Sequence, residues 1–517
     1  MDNLPPTQMP IQVECEEALI KLVRELTGIR ILDHQLGRFR HTITQACYQF
    51  NCNSSEEYLQ VLQHSSLNSA MQEHLIAGIT IGESYFFRDR SQMDFLSSSI
   101  LPKLIRQRRD QGSLFLRIWS AGCSDGQELY SVLMLLMQLL PDIENWKLHL
   151  LGTDINVEAL SRAITGTYAE WSLRSTKTTL REQFFDRTGQ QWILKRSLQR
   201  LTKFSYLNLY GDKFPSILSE TNAMDLILCR NVFIYFDPLT AKAVMEKFYQ
   251  SLLPGGYLLQ GASDLLDSSH SSGFEQHIIA DTSYYLRPDR AFEADESLTS
   301  QNTTVADINL TATFTEPDSK KKLLQPNLST TNNISTTDAI ISQSTPIPIA
   351  IKVYKTIIQN LTAEAWDMAL ISINKRLLAG DNNALIWQFK AKALANLGQI
   401  IAALKSCSLS LEHNPEDKHT YFIQALVYME ARRFDKAERA LKQTLYLDRQ
   451  FVEAHYHLGL LHLLQGKRES GLKYMHNALE ISENADPLRS LHDAAGMNHE
   501  RMTTILRSEL KMYQGMS

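Results

Sequence analysis

The sequence predicts a multidomain protein with an all-α N-terminal bundle, an α/β Rossmann-like domain that carries a small edge insertion, and an all-α C-terminal solenoid. Three observations predict this fold class. Apolar residues recur at helical spacing over 10–75, strand and helix patterns alternate over 76–288, and a repeat of about 34 residues begins near 350. A chain of 517 residues has ample material for several hydrophobic cores.

The first predicted unit is the helical bundle at 10–75. Leu19, Val23 and Leu26 share one helical face, and Thr27-Gly28 would end that helix. Three arginines follow it, namely Arg30, Arg38 and Arg40. They indicate either a solvated face or a positive surface that attracts an acidic protein partner.

Composition excludes several classes of function. A net charge of −5 argues against a nucleic-acid-binding body. The 6 cysteines form no CxxC pair, so neither a zinc site nor a disulfide framework is expected. The N-terminus lacks a signal-peptide pattern, and no apolar run approaches the ~20 residues needed to span a bilayer. We therefore expect a cytoplasmic protein.

The α/β domain is organised around residues 114–134. An alternating apolar strand stops at a glycine-bounded turn, 122–126, and an amphipathic helix follows. The turn lacks the Lys-Ser/Thr of a triphosphate loop, and Glu128 in the first helical turn would repel phosphate. A second strand, 148–152, leads to Asp154, whose carboxylate could accept hydrogen bonds from a ribose diol. The pattern favours a nucleoside-type cofactor without phosphates, such as S-adenosylmethionine. The alternative is an ordinary α/β turn that binds no ligand.

Later segments complete the predicted α/β domain. The irregular stretch 166–200 contains Trp171 and Trp192 and is predicted to be the insertion at the sheet edge. Strands at 224–228 and 257–260, with a helix at 238–252 between them, predict a parallel-type sheet covered by helices on both faces. The Ser-, Thr- and Asn-rich segment 289–349 is predicted to be a disordered linker.

The C-terminal region, 350–517, repeats. Ala391, Ala425 and Gly459 are spaced 34 apart, and another small-residue series (Ala403, Ala437, Gly471) has the same spacing. This period predicts tetratricopeptide (TPR) repeats at 384–417, 418–451 and 452–485, after a degenerate unit at 350–383 and before a capping helix at 487–514. Stacked repeats usually present a concave groove for a peptide or a helix, whereas a helical bundle without a ligand role is the alternative.

Several separated motifs within 10–285 resemble the CheR family, the chemotaxis receptor glutamate O-methyltransferases. Residues 80–89 (TIGESYFFRD) resemble the family's TxxxTxFFR(D/E) segment, and 118–131 (IWSAGCSDGQELYS) resemble its cofactor turn. Residues 152–155 (GTDI), the Asn208-Leu209 pair and 229–236 (CRNVFIYF) match three further motifs. Three segments depart from the family: Gln127 and Leu129 replace a carboxylate and a proline, Gly82 stands where some members carry Asn, and 261–264 (GASD) replaces the commoner GHSE.

The resemblance implies site residues position by position. Those implied to contact S-adenosylmethionine are Ser84, Arg88, Glu128, Asp154, Asn208, Leu209, Cys229 and Arg230. Arg88 and Tyr235 are implied to line the place where the methyl acceptor enters, and no metal is implied. Arg88 could instead be a structural salt-bridge partner, and Tyr235 a core aromatic residue.

Methyl transfer from a sulfonium to a carboxylate is an in-line displacement by a nucleophile that is already ionised at neutral pH. It needs no general base, and no His occupies any of these motif positions. The chain must instead orient the acceptor oxygen and remove water from it. We expect Arg88 to orient a carboxylate, Tyr235 to donate one hydrogen bond, and Glu128 to lie near the cofactor's ammonium group.

The resemblance implies a protein-glutamate O-methyltransferase that modifies methyl-accepting chemotaxis-type receptors, with the TPR repeats docking a signalling protein. An alternative is an S-adenosylmethionine-binding scaffold whose repeats are the main working surface. A small-molecule or nucleic-acid methyltransferase has little support, because no basic stripe with interleaved aromatic residues is present. We expect most docking on the repeats, so that removal of 350–517 would leave cofactor affinity unchanged.

Overall fold

The computed structural model describes residues 11–64, 70–80, 82, 84–264, 273–279, 282–288, 353–491 and 497–514. The linker predicted at 289–349 lies outside these residues. The described parts of 1–289 and 355–517 belong to one compact unit.

The N-terminal bundle consists of α1 (Val13–Thr27), α2 (Leu36–Gln49), α3 (Ser55–His64) and α4 (Ala70–Ile79). Its core contains Leu19, Val23, Phe39 and Ile43. Two of the three predicted surface arginines bind the bundle itself. Arg40 forms an ion pair with Glu16 at 2.6 Å, and Arg38 donates to the carbonyl oxygens of Gly78 and Thr80. These contacts give both side chains a role within the bundle.

A mixed sheet of seven strands forms the middle of the chain, in the order β6-β2-β1-β7-β8-β10-β9. The strands are β1 (Phe115–Ala121), β2 (Lys147–Asp154), β6 (Thr202–Tyr206), β7 (Met224–Cys229), β8 (Leu252–Gln260), β9 (Glu275–Ile279) and β10 (Thr282–Leu286). The first five are parallel, and β10 pairs antiparallel with β8 and β9. Since β1 lies between β2 and β7, the chain reverses its direction of strand addition there, and ligands of such sheets bind at that edge.

Helices cover both faces of the sheet, as predicted. They are α5 (Arg90–Phe95), continued by a π-helical turn (Leu96–Ile100) into α6 (Leu101–Asp110), then α7 (Gln127–Leu139), α8 (Val157–Thr165) and α11 (Pro238–Ser251). Alternate residues of β1 enter opposite cores: Leu116 and Ile118 pack in one, Trp119 and Ala121 in the other.

The segment between α8 and β6 is the predicted insertion. It contains β3 (Thr167–Ala169), a 3-10 turn (Glu170–Leu173), α9 (Thr178–Phe184), β4 (Phe185–Thr188), β5 (Gln191–Leu194) and α10 (Arg196–Gln199). Its strands form a separate antiparallel sheet, β3-β5-β4. Phe86 packs edge-on against Tyr168 and Phe185 of the insertion, and its N–H donates to the Ser172 carbonyl oxygen at 2.9 Å. The insertion therefore supports residues 84–88, which reach the site.

The C-terminal region is helical and repeats as predicted. Its helices are α12 (Lys355–Thr362), α13 (Trp366–Leu378), α14 (Ala384–Asn396), α15 (Ile400–His413), α16 (Lys418–Glu430), α17 (Phe434–Leu447), α18 (Val452–Leu464), α19 (Arg468–Glu483) and α20 (His499–Gln514). Small residues lie where paired helices cross: a Cβ on Gly459 would come 2.5 Å from Met475, and one on Gly471 would come 2.7 Å from Leu463. The fold class predicted from the sequence is confirmed.

The repeat array packs against the α/β domain instead of standing apart from it. Asn396 accepts from the Ile217 N–H at 2.9 Å, and Glu430 forms a 3.0 Å ion pair with Arg117 of β1. Asn396 and Glu430 occupy equivalent positions in consecutive repeats, since both end the first helix of their pair. This periodic face, defined by Asn396 and Glu430 and called the inner face below, contacts segment 215–223 through Ile217 and contacts β1 through Arg117. At these two positions the chain itself lies against the face on which we expected a groove.

Candidate functional site

Two adjoining cavities lie beyond the carboxyl ends of β1, β2 and β7. The larger, about 110 Å³, contains Asp154, Asn208, Leu209 and Tyr235 in its lining. The smaller, about 60 Å³, is lined in part by Ser84, Arg88, Glu128 and Arg230. Both include Gly122, Ser124 and Asn231, so together they form one elongated site with the glycine turn at its middle.

The glycine turn makes room for this site. Gly122 has φ +76°, and a Cβ there would come 2.5 Å from a Val232 methyl group, so the close approach of β1 to the 229–236 motif requires glycine. The N–H groups of Gly122 and Cys123 both donate to the Thr153 carbonyl oxygen, at 2.7 and 2.9 Å. These bonds bring the end of β1 beside the end of β2.

Asp154 is held by backbone donors. Its Oδ2 accepts from the Ser124 N–H and its Oδ1 from the Asn156 N–H, both at 2.8 Å. Burial raises the pKa of this carboxyl, and the two N–H donors oppose that shift. Because a carboxylate has about four lone-pair sites, two remain to accept from a ligand's hydroxyl groups.

Glu128 lies at the other end of the site, in the first turn of α7. Its Oε1 accepts from the Ser120 hydroxyl at 2.7 Å, and its Oε2 accepts from Arg230 Nη1 at 3.1 Å. This places a carboxylate at each end of the elongated site: one beside the larger cavity and one beside the smaller. The arrangement suits a ligand with a diol at one end and a cationic group at the other.

Arg230 is a buried side chain that connects several segments around the smaller cavity. Its side chain is 2% exposed, and its nitrogens donate to Gln92 Oε1 at 2.8 Å, to the Arg88 carbonyl oxygen at 2.7 Å and to Asp89 Oδ2 at 2.8 Å, besides Glu128. Every guanidinium nitrogen is therefore engaged by protein. Arg230 thus positions Glu128 and residues 88–89. Gln92, which the sequence patterns did not indicate, helps to hold Arg230 in place.

Arg88 and Tyr235 line the two adjoining parts of the site. Arg88 lines the smaller cavity, with its guanidinium carbon 5.9 Å from the Tyr85 ring centroid, and Tyr235 lines the larger cavity. Tyr235 ends the 3-10 turn Phe233–Tyr235, and its carbonyl oxygen accepts from the Arg30 N–H at 2.9 Å. That both residues line the place where the methyl acceptor enters stays a prediction.

Asn208 and Leu209 lie where the sequence placed them, but the Asn208 side chain holds the turn. Its Nδ2 donates to the Leu26 carbonyl oxygen at 2.8 Å, and its Oδ1 accepts from the Tyr210 N–H at 3.0 Å. Cys229 is fully buried and lines neither cavity. Burial raises the pKa of its thiol well above the usual value, so Cys229 packs as a neutral side chain.

Asp264 is a second residue whose role the sequence did not reveal. It ends the divergent GASD segment, and it accepts from the N–H groups of Asn231, Ile234 and Gly261, the last at 3.1 Å. Burial raises its pKa to about 6, against the pull of these donors. The carboxylate thus supports the wall formed by Asn231 and Val232. The resemblance gave the only available signal, an acidic residue at the place of the family's glutamate.

Comparison with known proteins agrees with this geometry. Residues 82–281 match the model of the CheR methyltransferase, SAM-binding domain. A chemotaxis protein methyltransferase of Borreliella burgdorferi is 32% identical over 250 residues, which cover 48% of this chain and 87% of that protein. The chain belongs to the CheR methyltransferase family. Chemotaxis protein methyltransferase 2 of Vibrio cholerae is 29% identical over 263 residues, covering 51% of this chain and 83% of that protein.

Family membership identifies S-adenosylmethionine as the cofactor of this methyltransferase. The two-ended acidic site fits it: Asp154 would face the ribose and Glu128 the ammonium group, with no phosphate-binding loop between them. A solved structure, MamA from Desulfovibrio magneticus, is 19% identical and covers 26% of this chain and 76% of its own. Its TM-score of 0.25 is too low to argue from, so the repeat fold rests on the helices and spacing given above. Within the described residues, no helix is both long and apolar enough to cross a membrane.

Proposed function

We propose that this CheR-family enzyme transfers the methyl group of S-adenosylmethionine to glutamate side chains of chemotaxis-type receptors. The observation that carries the proposal is the elongated site with Asp154 at one end and Glu128 and Arg88 at the other. The printed name of the relatives, chemotaxis protein methyltransferase, supports the substrate class.

The cofactor, when bound, supplies a methyl carbon activated by a sulfonium. An acceptor glutamate oxygen would take that methyl carbon, and the electron pair of the broken sulfur–carbon bond would stay on sulfur. No proton moves, because the acceptor carboxylate is already ionised. Asp154 and Glu128 would fix the two ends of the cofactor, and Arg88 would orient the acceptor carboxylate. The low-polarity walls contributed by Val232 and Tyr235 would exclude water from the site.

An aromatic and cationic ledge borders the Arg88 end of the site. The Arg174 guanidinium carbon lies 3.5 Å from the Tyr85 ring centroid and 3.9 Å from that of Trp171, which is 65% exposed. Positive charge between the half-buried Tyr85 ring and the exposed Trp171 ring suits an acidic helical substrate, which must bring a glutamate to Arg88. We therefore place the receptor on this ledge.

Docking of a signalling protein is the second part of the proposal. The inner face of the repeats contacts segment 215–223 and β1, so a partner would bind the opposite row of helices. Ile401 on α15 and Tyr446 on α17 are large apolar side chains on that row, and both are exposed. A partner on this row would bind outside the concave groove that a free repeat array usually presents.

The test is transfer of a labelled methyl group from S-adenosylmethionine to purified receptor cytoplasmic domains, read as base-labile ester. Arg88→Gln should reduce transfer at least about tenfold, because a misoriented acceptor loses the in-line geometry. Arg90→Gln is the matched control, since Arg90 is exposed and pairs only at 3.7 Å with Asp94. Cofactor binding without transfer to any receptor would favour the scaffold alternative and contradict the proposal.

A further inference from the structure

The segment that follows β6 forms one wall of the larger cavity. Leu207, Asn208 and Leu209 line it, next to Asp154. This wall is fixed from behind by Asp212, whose Oδ2 accepts from the Asn208 N–H at 2.7 Å, while the Asp212 N–H donates to the Asn208 carbonyl oxygen at 2.9 Å. The position of the wall thus depends on the orientation of this carboxylate, together with the Asn208 side chain and with Lys247, whose Nζ donates to the Leu209 carbonyl oxygen at 3.1 Å.

That carboxylate is held by the C-terminal helix, α20, far away in sequence. Arg501 Nε donates to Asp212 Oδ1 at 2.6 Å, and Arg501 Nη2 donates to Asp212 Oδ2 at 2.5 Å. The Arg501 and Asp212 side chains are 17% and 13% exposed, and the guanidinium carbon lies 4.9 Å from the Tyr206 ring centroid. A bidentate pair of this kind fixes the orientation of both groups as well as their charge.

A second contact from the same helix supports this one. The Ser205 hydroxyl donates to Glu509 Oε1 at 2.6 Å, so α20 binds the end of β6, before the cavity wall, as well as Asp212, after it. Without Arg501, the largely buried Asp212 carboxylate would lose its bidentate partner and reorient toward water or toward the nearby Lys247 ammonium group. The Asn208 N–H would then lose its acceptor, and the wall beside Asp154 would loosen.

We propose that Arg501 is a positioning residue for cofactor binding: acting through Asp212, it sets the affinity of the larger cavity for the adenosyl group. The repeat array is thereby part of the cofactor site and not an independent module. The inference depends on the cofactor that the family uses and not on which protein accepts the methyl group.

The test is calorimetric titration of the full chain with S-adenosylhomocysteine and with adenosine. Arg501→Gln should weaken binding of both ligands by a similar factor, about five- to thirtyfold, because the affected wall faces the adenosyl end. Arg501→Lys should fall between this variant and the wild type. The matched control is Arg507→Gln on the same helix, since Arg507 pairs with Glu483 inside the array at 2.8 Å and should stay within about twofold.

A double-variant cycle separates positioning from general destabilisation. Asp212→Asn should weaken binding like Arg501→Gln, and the double variant should be no weaker than the worse single variant, because both act through one bond network. With cofactor at saturation, kcat should change less than about twofold, since the reacting end of the site is untouched.

Wild-type affinity in a folded Arg501→Gln protein would overturn the inference, as would an equal loss in Arg507→Gln. If Arg501→Gln does not fold, Arg501→Lys decides the question: weaker adenosine binding supports the inference, and unchanged binding refutes it. If no receptor is methylated in the transfer assay, the affinities predicted here for the Arg501 variants do not change. The proposed substrate and the proposed role of Arg501 can therefore be refuted separately.

Discussion

The ion pair between Arg117 and Glu430 offers the sharpest stability test of the docked repeat array. Arg117 lies on β1 and Glu430 on α16, and their side chains are 3% and 4% exposed. Arg117 also donates to the Asn222 and Glu220 carbonyl oxygens, each at 3.0 Å. Burial raises the pKa of Glu430, and the arginine opposes that shift. Glu430→Met removes the charge while keeping a side chain of similar length.

The expected loss follows from the burial of the pair. The variant leaves the Arg117 guanidinium charged, enclosed and without its counter-charge, and breaking one side of a buried pair costs about 3–5 kcal/mol. Against a total unfolding free energy of about 5–15 kcal/mol, this is a large fraction. The combined Arg117→Met and Glu430→Met protein should lose less than the sum of the two single variants, since neither charge is then stranded.

Urea unfolding followed by far-UV circular dichroism and tryptophan fluorescence is the assay. Six tryptophans contribute to the fluorescence, four in the α/β domain and two in the repeats, so coincident transitions by both probes would show that the two regions unfold together. Lys442→Met is the control: its exposed ion pair with Glu438 should contribute less than about 1 kcal/mol. A Glu430→Met protein as stable as the control, or repeats that unfold first, would refute a docked array.

Four further predictions concern the site and the segments that support it. Arg230→Lys keeps the charge but cannot reach all of its partners, so steady-state kinetics should show transfer reduced at least about tenfold with a raised KM for the cofactor. Since burial raises the pKa of Asp264 from 3.8 to about 6, the carboxyl gains a proton as pH falls through about 6. Cofactor affinity should weaken there in titrations across pH, and Asp264→Asn should abolish that inflection, whereas a pH-independent wild type would contradict it. The same shift means that ionised Asp264 costs stability above about pH 6, a cost absent below 3.8, so the stability of the wild type relative to Asp264→Asn, measured by urea unfolding, should fall as pH rises through 6. Finally, a chain ending at 288 should bind S-adenosylhomocysteine more weakly than the full chain, and equal affinities would support the separable modules first expected.

Local patterns predicted the parts of the site that local backbone geometry determines. The glycine turn at 122–126, Glu128 in the first turn of α7 and Asp154 at the end of β2 follow from strand–turn–helix signals in adjacent residues. The period of the repeats predicted their helices for the same reason. Parallel pairing of β1 with β2 then brings the two predicted ends together.

Contacts between distant segments could not be predicted in this way. Gln92 meets Arg230 across 138 positions of sequence, and Arg501 meets Asp212 across 289, so no periodicity or motif connects them. The contacts on the inner face of the repeats could not be predicted either, because the sequence of a repeat array does not show which distant segment packs against it.

The most direct test of the central claim is calorimetric titration of the full chain with S-adenosylmethionine and S-adenosylhomocysteine, beside Asp154→Ala. Asp142→Ala is the control, since Asp142 only pairs with Arg109 on the surface, at 2.6 Å. The account predicts that the wild type and the control bind both ligands, while Asp154→Ala loses at least about tenfold in affinity because the ribose hydroxyls lose their acceptor. A folded wild-type protein that binds neither ligand, or an Asp154→Ala variant that binds them unchanged, would contradict the assignment of this site.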